Sequence, residues 1–187
     1  MNTILPIIAV VVVVVIVGVI LALIFSTRQR SGQFQEKYGA EYDRTVKAAG
    51  SEKKAQTELN DRRKHVETLN IRPLSTNERD RYLAEWTNIR AKFVDQPGKA
   101  TVEADRMIME VMQLRAYPVS DFEQRAADIS VNYPALVSNY RAAREIAIKN
   151  EHHQASTEEL RQAMVYYSSL VDELIKSEMV DPEKKKK

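Results

Sequence analysis

The sequence predicts an all-α protein, in which an N-terminal transmembrane helix is followed by a helical stalk and a compact bundle of four to six helices. Three observations carry this prediction. Residues 1–27 contain no charged side chain. Beyond them, apolar residues recur at intervals of three and four, which is the period of one helix face. No segment sustains the alternation of apolar and polar residues that marks a half-buried strand, so we expect no sheet.

The first predicted element is a membrane anchor. Ile4 to Phe25 form a nearly unbroken apolar run. As a helix, this run spans roughly 33 Å, against about 30 Å for the hydrocarbon core of a bilayer. The valines from Val10 to Val15 favour a strand in water, but an open strand in lipid leaves its backbone unpaired, so a helix is favoured. We assign residues 1–27 as the anchor and expect residues 4–25 to contact the lipid bilayer.

A cleaved signal peptide is the competing interpretation of the same run. Such a peptide has a basic start, an apolar core of about 7–15 residues and small residues at its cleavage site. Here the chain begins Met-Asn-Thr, without Lys or Arg, and the apolar run is longer. An uncleaved, single-pass anchor is therefore favoured.

The orientation of the anchor is predicted from the basic residues that flank it. Arg28, Arg30 and Lys37 follow the apolar run, whereas no Lys or Arg precedes it. Because cytoplasmic flanks retain positive charge, we expect the N-terminus outside and the soluble domain in the cytoplasm. A domain that faces the cell envelope is the alternative.

The next predicted element is a juxtamembrane helix over residues 28–50. Four apolar residues recur at every fourth position and so share one helix face: Phe34, Tyr38, Tyr42 and Val46. Ser31-Gly32 is a point at which this helix could be interrupted. Gly50 suits its C-terminal end, because glycine adopts the left-handed conformation that commonly ends a helix.

Residues 51–178 are predicted to form the helical bundle domain. Ser51 can cap its first helix, which runs to about Leu69. Three capping boxes, in which a serine is followed three residues later by a glutamate, mark further helix starts: Ser75 with Glu78, Ser120 with Glu123, and Ser156 with Glu159. Breaks are predicted where proline or glycine interrupts the pattern, at Ile71–Leu74, Pro97-Gly98, Tyr117-Pro118 and Tyr133-Pro134. Residues 179–187, which end in four lysines, are predicted to be a disordered basic tail.

The helices between these breaks carry apolar stripes that predict the core. The stripe of the helix after Ser75 is Tyr82, Trp86, Ile89 and Phe93, and that of the last helix is Leu160, Met164, Tyr167, Val171 and Leu174. Tyr117 and Tyr133 each precede a proline at a helix junction, where they pack locally or line a groove between helices.

Charge and composition argue against several function classes. The formal net charge is +2, and Lys184–Lys187 supply four positive charges, so the rest of the chain carries −2. A domain that binds nucleic acid normally carries its positive excess in the folded part, so we expect no nucleic-acid partner. The absence of cysteine excludes disulfides, thiol nucleophiles and cysteine-ligated metals. No cofactor is predicted.

The known catalytic and metal-binding patterns are also missing from the sequence. The histidines are His65, His152 and His153, and none belongs to an HExxH motif. Adjacent histidines on a helix point about 100° apart, so His152 and His153 could not easily bind one ion there. With Glu151 they could bind a metal in a loop, but an exposed polar loop is the favoured interpretation, and no metal site is predicted. No GxSxG or GxxxxGK motif occurs. We therefore assign no catalytic residue and favour a protein that is not an enzyme.

A charged region around residues 115–128 supplies the candidate ligand-binding residues. They are Arg115, Tyr117, Asp121, Arg125 and Asp128. Paired carboxylates beside arginines can form a charged pocket for acid–base chemistry. The structural alternative, which we favour, is that Asp121 and Glu123 meet the positive end of a helix dipole and that Arg125 pairs with Asp128 three residues on.

Several segments of the second half of the chain, roughly Arg72 to Leu174, form a distinctive pattern: Trp86, Phe93-Val94-Asp95 with Pro97, Ala104-Asp105, Tyr117–Val131, Asn139–Ala143 and Thr157–Val165. In these segments the chain resembles a family of bacterial proteins usually labelled hypothetical, secreted or membrane proteins. The resemblance implies a bacterial source, and hence the inner membrane as the location. Because no activity is established for that family, no catalytic residue can be carried over.

Three functional hypotheses follow. The first is a membrane-tethered helical interaction or scaffold module with a protein partner. The second is an enzyme with a charged site around Arg115–Asp128. The third is an envelope-facing protein that binds a ligand. The oligomeric state is left open by the sequence.

Overall fold

The computed structural model describes residues 28–119 and 121–176, together with Gly18. The predicted membrane span, residues 4–25, lies outside these residues apart from Gly18, as does the predicted tail, residues 179–187. Among the helices that the structure describes, none combines the length and the apolar character that a membrane crossing requires.

Between residues 28 and 176 the chain forms eight α-helices and a final π-helical segment. They are α1 (residues 28–38), α2 (Ala40–Ala49), α3 (Glu52–Thr68), α4 (Thr76–Lys92), α5 (Pro97–Leu114), α6 (Phe122–Asn132), α7 (Pro134–Glu151), α8 (Thr157–Val171) and the π-helical segment Asp172–Lys176. No strand occurs in the described ranges, and the prediction of an all-α protein is confirmed.

The main apolar core lies among α4 to α8, which are called the bundle below. Each of these helices and the π-helical segment contribute buried side chains to it: Trp86, Met107, Ile108, Met112, Ile129, Tyr140, Tyr167, Leu170 and Leu174. The stripe predicted for α4 is confirmed at Tyr82, Trp86 and Ile89, whereas Phe93 caps the end of the helix and is only partly buried.

Helices α1 to α3, called the arm below, enclose a second and smaller apolar core. Its buried members are Tyr38, Tyr42, Ala55 and Leu59, with Phe34, Val46 and Ala49 packed against them. None of these residues belongs to the main core. The arm therefore has a hydrophobic centre of its own.

The juxtamembrane helix predicted over residues 28–50 is divided at Gly39, which corrects the expectation of one continuous helix. Gly39 has φ 52° and ψ −128°, a conformation that glycine adopts without the steric cost of a side chain. The contacts of Ser31, near the start of α1, with Glu52 and Gln56, near the start of α3, show that the chain folds back at this point. Gly50, with φ 74°, ends α2 as predicted.

The helix caps show which local signals in the sequence are reliable. The capping boxes at Ser75 with Glu78 and at Ser156 with Glu159 are both present. Helix α6, however, is capped by Asp121, whose carboxylate accepts a hydrogen bond of 2.8 Å from the Gln124 backbone N–H. The start predicted at Ser120 is thus displaced by one residue, because the carboxylate of Asp121 already satisfies an N-terminal donor of the helix.

Candidate functional site

An open groove of about 1070 Å³ lies between the arm and the bundle. Helices α2 and α3 form one side, and the other is formed by α6 together with Arg141 of α7. The groove is lined by charges of both signs: Arg44, Lys53, Lys54, Arg62 and Arg141, with Glu58, Asp61, Asp121 and Glu123. His65 and Gln124 also line it.

A buried carboxylate, that of Glu41, links the two sides of this groove. Its side chain is 2% exposed, and its Oε1 atom lies 2.8 Å from Arg62 Nη1 and 3.4 Å from Arg141 Nη2. Arg62 belongs to α3 and Arg141 to α7. Glu41, which belongs to α2, therefore ties the arm to the bundle through Arg141. Its removal would leave a buried charge without compensation.

Two outer carboxylates hold the same arginines from the solvent side. Glu123 Oε2 lies 2.6 Å from Arg141 Nη1 and 3.5 Å from Arg44 Nη2. Glu58 pairs with Arg62 on its own helix. The arginines are thereby fixed in place by acids on both sides, so the groove presents an ordered pattern of charge.

Asp128 and His65 form a second polar contact between the arm and the bundle. Asp128 is fully buried, and its Oδ1 atom accepts a hydrogen bond of 2.8 Å from Gln124 Nε2. His65 Nε2 lies 3.7 Å from the same oxygen. Within the described residues the Oδ2 atom has no hydrogen-bond partner.

The surroundings of Asp128 change the acidity of its carboxyl group. Burial raises the pKa of Asp128, since the charged form loses its hydration. The hydrogen bond from Gln124 and the positive fields of His65 and Arg62 oppose that rise. The protonation of this carboxyl is therefore coupled to the contact between α3 and α6.

The structure places Arg115 inside the fold rather than in the groove. The residue is 1% exposed, and its guanidinium donates to the Arg72 carbonyl oxygen at 3.3 Å, the Leu174 carbonyl oxygen at 3.0 Å and the Tyr133 hydroxyl at 3.2 Å. Arg115 thus joins the linker before α4 to the end of the π-helical segment. Its donors serve the packing of the bundle.

Tyr117 and Arg125 are likewise buried and engaged. The Tyr117 hydroxyl accepts a hydrogen bond of 2.9 Å from Asn132 Nδ2, and burial raises the pKa of Tyr117. Arg125 Nε donates to the Tyr140 hydroxyl at 3.1 Å, and its Nη1 donates to the Val119 carbonyl oxygen.

The ion pair predicted between Arg125 and Asp128 does not form. Arg125 turns towards Tyr140 on α7, whereas Asp128 turns towards His65 on α3. The predicted set of five is therefore not gathered in one cavity. Asp121 lines the groove, Asp128 contacts the groove residues His65 and Gln124, and the other three stabilise the bundle.

Sequence reasoning missed Glu41, Arg62, His65 and Arg141 as members of the site. Glu41 and Arg141 are one hundred positions apart, and no local pattern connects them. Glu41 stands next to Tyr42, and adjacent residues on a helix do not share a face, so the predicted apolar stripe contained no sign that Glu41 is buried. Once buried, its charge requires a partner of opposite charge.

In the described ranges, no group of three His, Asp or Glu side chains is placed to hold a metal ion. Comparison with protein-family models, curated proteins and solved structures returned no match. The resemblance carried by Tyr117–Val131 therefore stays a prediction.

Proposed function

We propose that this chain is a membrane-tethered helical module that binds a protein partner in the groove between its arm and its bundle. In this proposal residues 4–25 span the inner membrane of a bacterium, and the described helices form the soluble domain. The observation that carries the proposal is the open groove of about 1070 Å³, whose lining is dominated by charged side chains of both signs.

The form of the groove favours a protein segment over a small molecule. Sites for small molecules are concave and enclose most of the ligand. This groove is open to solvent and mixes Arg44, Lys53 and Lys54 with Asp61 and Glu123. Charges arranged in this way select a partner by electrostatic complementarity and set the rate of encounter.

The ion network supports binding because it holds the groove in shape before a partner arrives. Arg62 and Arg141 are each held by two carboxylates, so their positions are fixed in the free protein. A preorganised surface loses less conformational entropy on association. An enzyme built on Arg115, Tyr117 and Arg125 has less support, because their polar atoms are already bonded within the fold.

Photo-crosslinking in cells tests the groove. A photoreactive phenylalanine analogue would replace Ala48 or Thr57, which are both exposed and both line the groove. We expect a discrete adduct with a second protein from either position. Matched controls are Asn88 on α4 and Gln113 on α5, which are exposed on the bundle. Equal adducts from all four positions, or none from the groove, would contradict the proposal.

The cytoplasmic location is proposed from the basic residues Arg28, Arg30 and Lys37, which follow the apolar run. Fusions of alkaline phosphatase and of a fluorescent protein after Lys187 test it. We expect a fluorescent fusion without phosphatase activity. The opposite result would favour the envelope-facing alternative. Cleavage of the anchor is tested separately: a protein extracted from the membrane should start at or near Met1 if the anchor is uncleaved.

A further inference from the structure

The unpaired positive charges of the arm are gathered at one of its ends. Five basic side chains there are exposed and make no ion pair or side-chain hydrogen bond with another described residue: Arg28, Arg30, Lys47, Lys53 and Lys54. These five residues are called the basic end. They come together because Ser31, in the first turns of α1, contacts Glu52 and Gln56, and Lys47 borders the same small depression as Ser31.

The other basic residues of the arm are used within the fold. Arg44 and Arg62 pair with Glu41, Arg63 pairs with Glu67, and Lys64 pairs with Asp61. Lys37 lies over the Tyr38 ring, and His65 faces Asp128. The segregation is therefore specific to the basic end, where five cations accompany two carboxylates. These are Glu52, which is bonded to Ser31, and Asp43, which accepts a hydrogen bond from Gln35.

The basic end is also the end of the arm nearest to the predicted membrane span. Ser31 lies six residues after Phe25, a distance of about 9 Å as a helix and about 20 Å at full extension. The polar headgroup layer extends about 5–8 Å beyond each side of the hydrocarbon core. A span that ends at Phe25 therefore keeps the basic end at the membrane surface.

We infer that the basic end binds the phosphate groups of anionic phospholipids and so docks the arm on the membrane surface. This inference rests on the proposed function, since it requires the anchor. Lys and Arg side chains near an anionic bilayer are attracted within a Debye length of the surface. Lys53 and Lys54 line the groove as well, so docking places one end of the groove at the lipid surface, where a membrane-bound partner would approach it.

A lipid-contact measurement on the full chain tests the inference. The chain has no cysteine, so Ala48→Cys gives a single site for a fluorophore on α2. The labelled protein is reconstituted into vesicles of phosphatidylcholine, with or without phosphatidylglycerol, that contain a constant fraction of headgroup quencher. We expect stronger quenching in the vesicles that contain phosphatidylglycerol.

Removal of charge from the basic end should abolish that difference. The triple variant Lys47→Gln, Lys53→Gln, Lys54→Gln is expected to lower the ratio of docked to undocked arm about 100-fold, at about fivefold for each cation. The same quenching in both kinds of vesicle for the parent protein, or an undiminished phosphatidylglycerol effect in the triple variant, would overturn the inference. Circular dichroism establishes that the variant keeps its helices.

A matched control removes the same charge from the bundle. The control is the triple variant Arg90→Gln, Lys99→Gln, Arg106→Gln, which changes exposed cations on α4 and α5. It should retain the full phosphatidylglycerol effect, and loss of that effect would mean that the total charge of the protein controls docking.

Flotation of the vesicles in alkaline carbonate distinguishes a failure of the anchor from a failure of the basic end. A chain released by carbonate overturns the anchor, while a chain that floats without a phosphatidylglycerol effect overturns the basic end alone.

Discussion

The replacement of Glu41 by Gln should destabilise the protein far more than the replacement of Glu123 by Gln. Both carboxylates bind Arg141, and the distance to Glu123 is the shorter, at 2.6 Å against 3.4 Å. Distance alone would therefore rank Glu123 as the stronger partner. Exposure reverses that ranking, because the Glu41 side chain is 2% exposed and the Glu123 side chain is 63% exposed.

The expected magnitudes follow from solvent screening. Loss of one partner of a buried ion pair costs about 3–5 kcal/mol. For Glu41→Gln we expect about 2–3 kcal/mol, since Arg62 and Arg141 keep their outer acids and a glutamine oxygen still accepts a hydrogen bond. An exposed pair contributes about 0–1 kcal/mol, so Glu123→Gln should cost less than about 1 kcal/mol.

Urea unfolding of the full chain in neutral detergent micelles, followed by far-ultraviolet circular dichroism, measures both costs. High salt should erase the small effect of Glu123→Gln and leave most of the effect of Glu41→Gln, because a buried pair is poorly screened. Equal costs for the two variants, or a Glu41→Gln cost that salt removes, would refute the reasoning from burial.

Three further outcomes are expected from the same unfolding measurement. Gly39→Ala should lower the free energy of unfolding by about 1–3 kcal/mol, because Gly39 has a positive φ. Gly32 lies inside α1 and its Cβ position is equally open, so Gly32→Ala should raise the free energy of unfolding by up to about 1 kcal/mol. A change of the same sign for both variants would contradict the break at Gly39. Trp86→Ala should cost about 3–5 kcal/mol, and a cost below about 1 kcal/mol would place Trp86 outside the core. Because the pKa of Asp128 is raised on folding, its contribution to the free energy of unfolding should be complete below the ordinary pKa of 3.8 and should be lost as the pH rises through the raised pKa. Asp128→Asn should therefore flatten the dependence of this free energy on pH in that range.

Local signals in the sequence were sufficient for most of the fold. The capping boxes at Ser75 and Ser156 act within one helical turn, and the Tyr82, Trp86 and Ile89 stripe depends only on the period of one helix. Such features need no knowledge of distant residues. The all-α class, the starts of α3, α4 and α8 and the core face of α4 could therefore be predicted.

The division at Gly39 escaped prediction because the apolar spacing continues across it. In one continuous helix, Phe34 and Tyr42 would be about 12 Å apart along the axis. In the structure their ring centroids are 6.0 Å apart, since α1 folds back and both rings enter the small core of the arm. A period of four is compatible with either arrangement. Only the unusual backbone of Gly39 distinguishes them.

The groove was beyond prediction for a different reason, which is that its charges meet across the fold. Asp121 and Asp128 were among the predicted candidates, but Glu41, Arg62 and Arg141 come from three separate helices. The predicted pairing of Arg125 with Asp128 relied on their spacing of three residues. Each side chain instead gains more from a different neighbouring helix, so packing overrides the local pairing.

The net charge of the chain and the local arrangement of its charges lead to different conclusions about partners. The sum over the chain outside the lysine tail is −2, which argues against a polyanion as partner of the whole domain. Yet charges act together only within about 8–10 Å at physiological salt, so the sum over a whole domain is not what a partner encounters. A partner at the basic end meets Arg28, Arg30 and Lys47, which make no ion pair with a described residue, whereas one in the groove meets both signs. The two surfaces share Lys53 and Lys54 but select different chemistry, and Arg28, Arg30 and Lys47 can be altered without altering the lining of the groove.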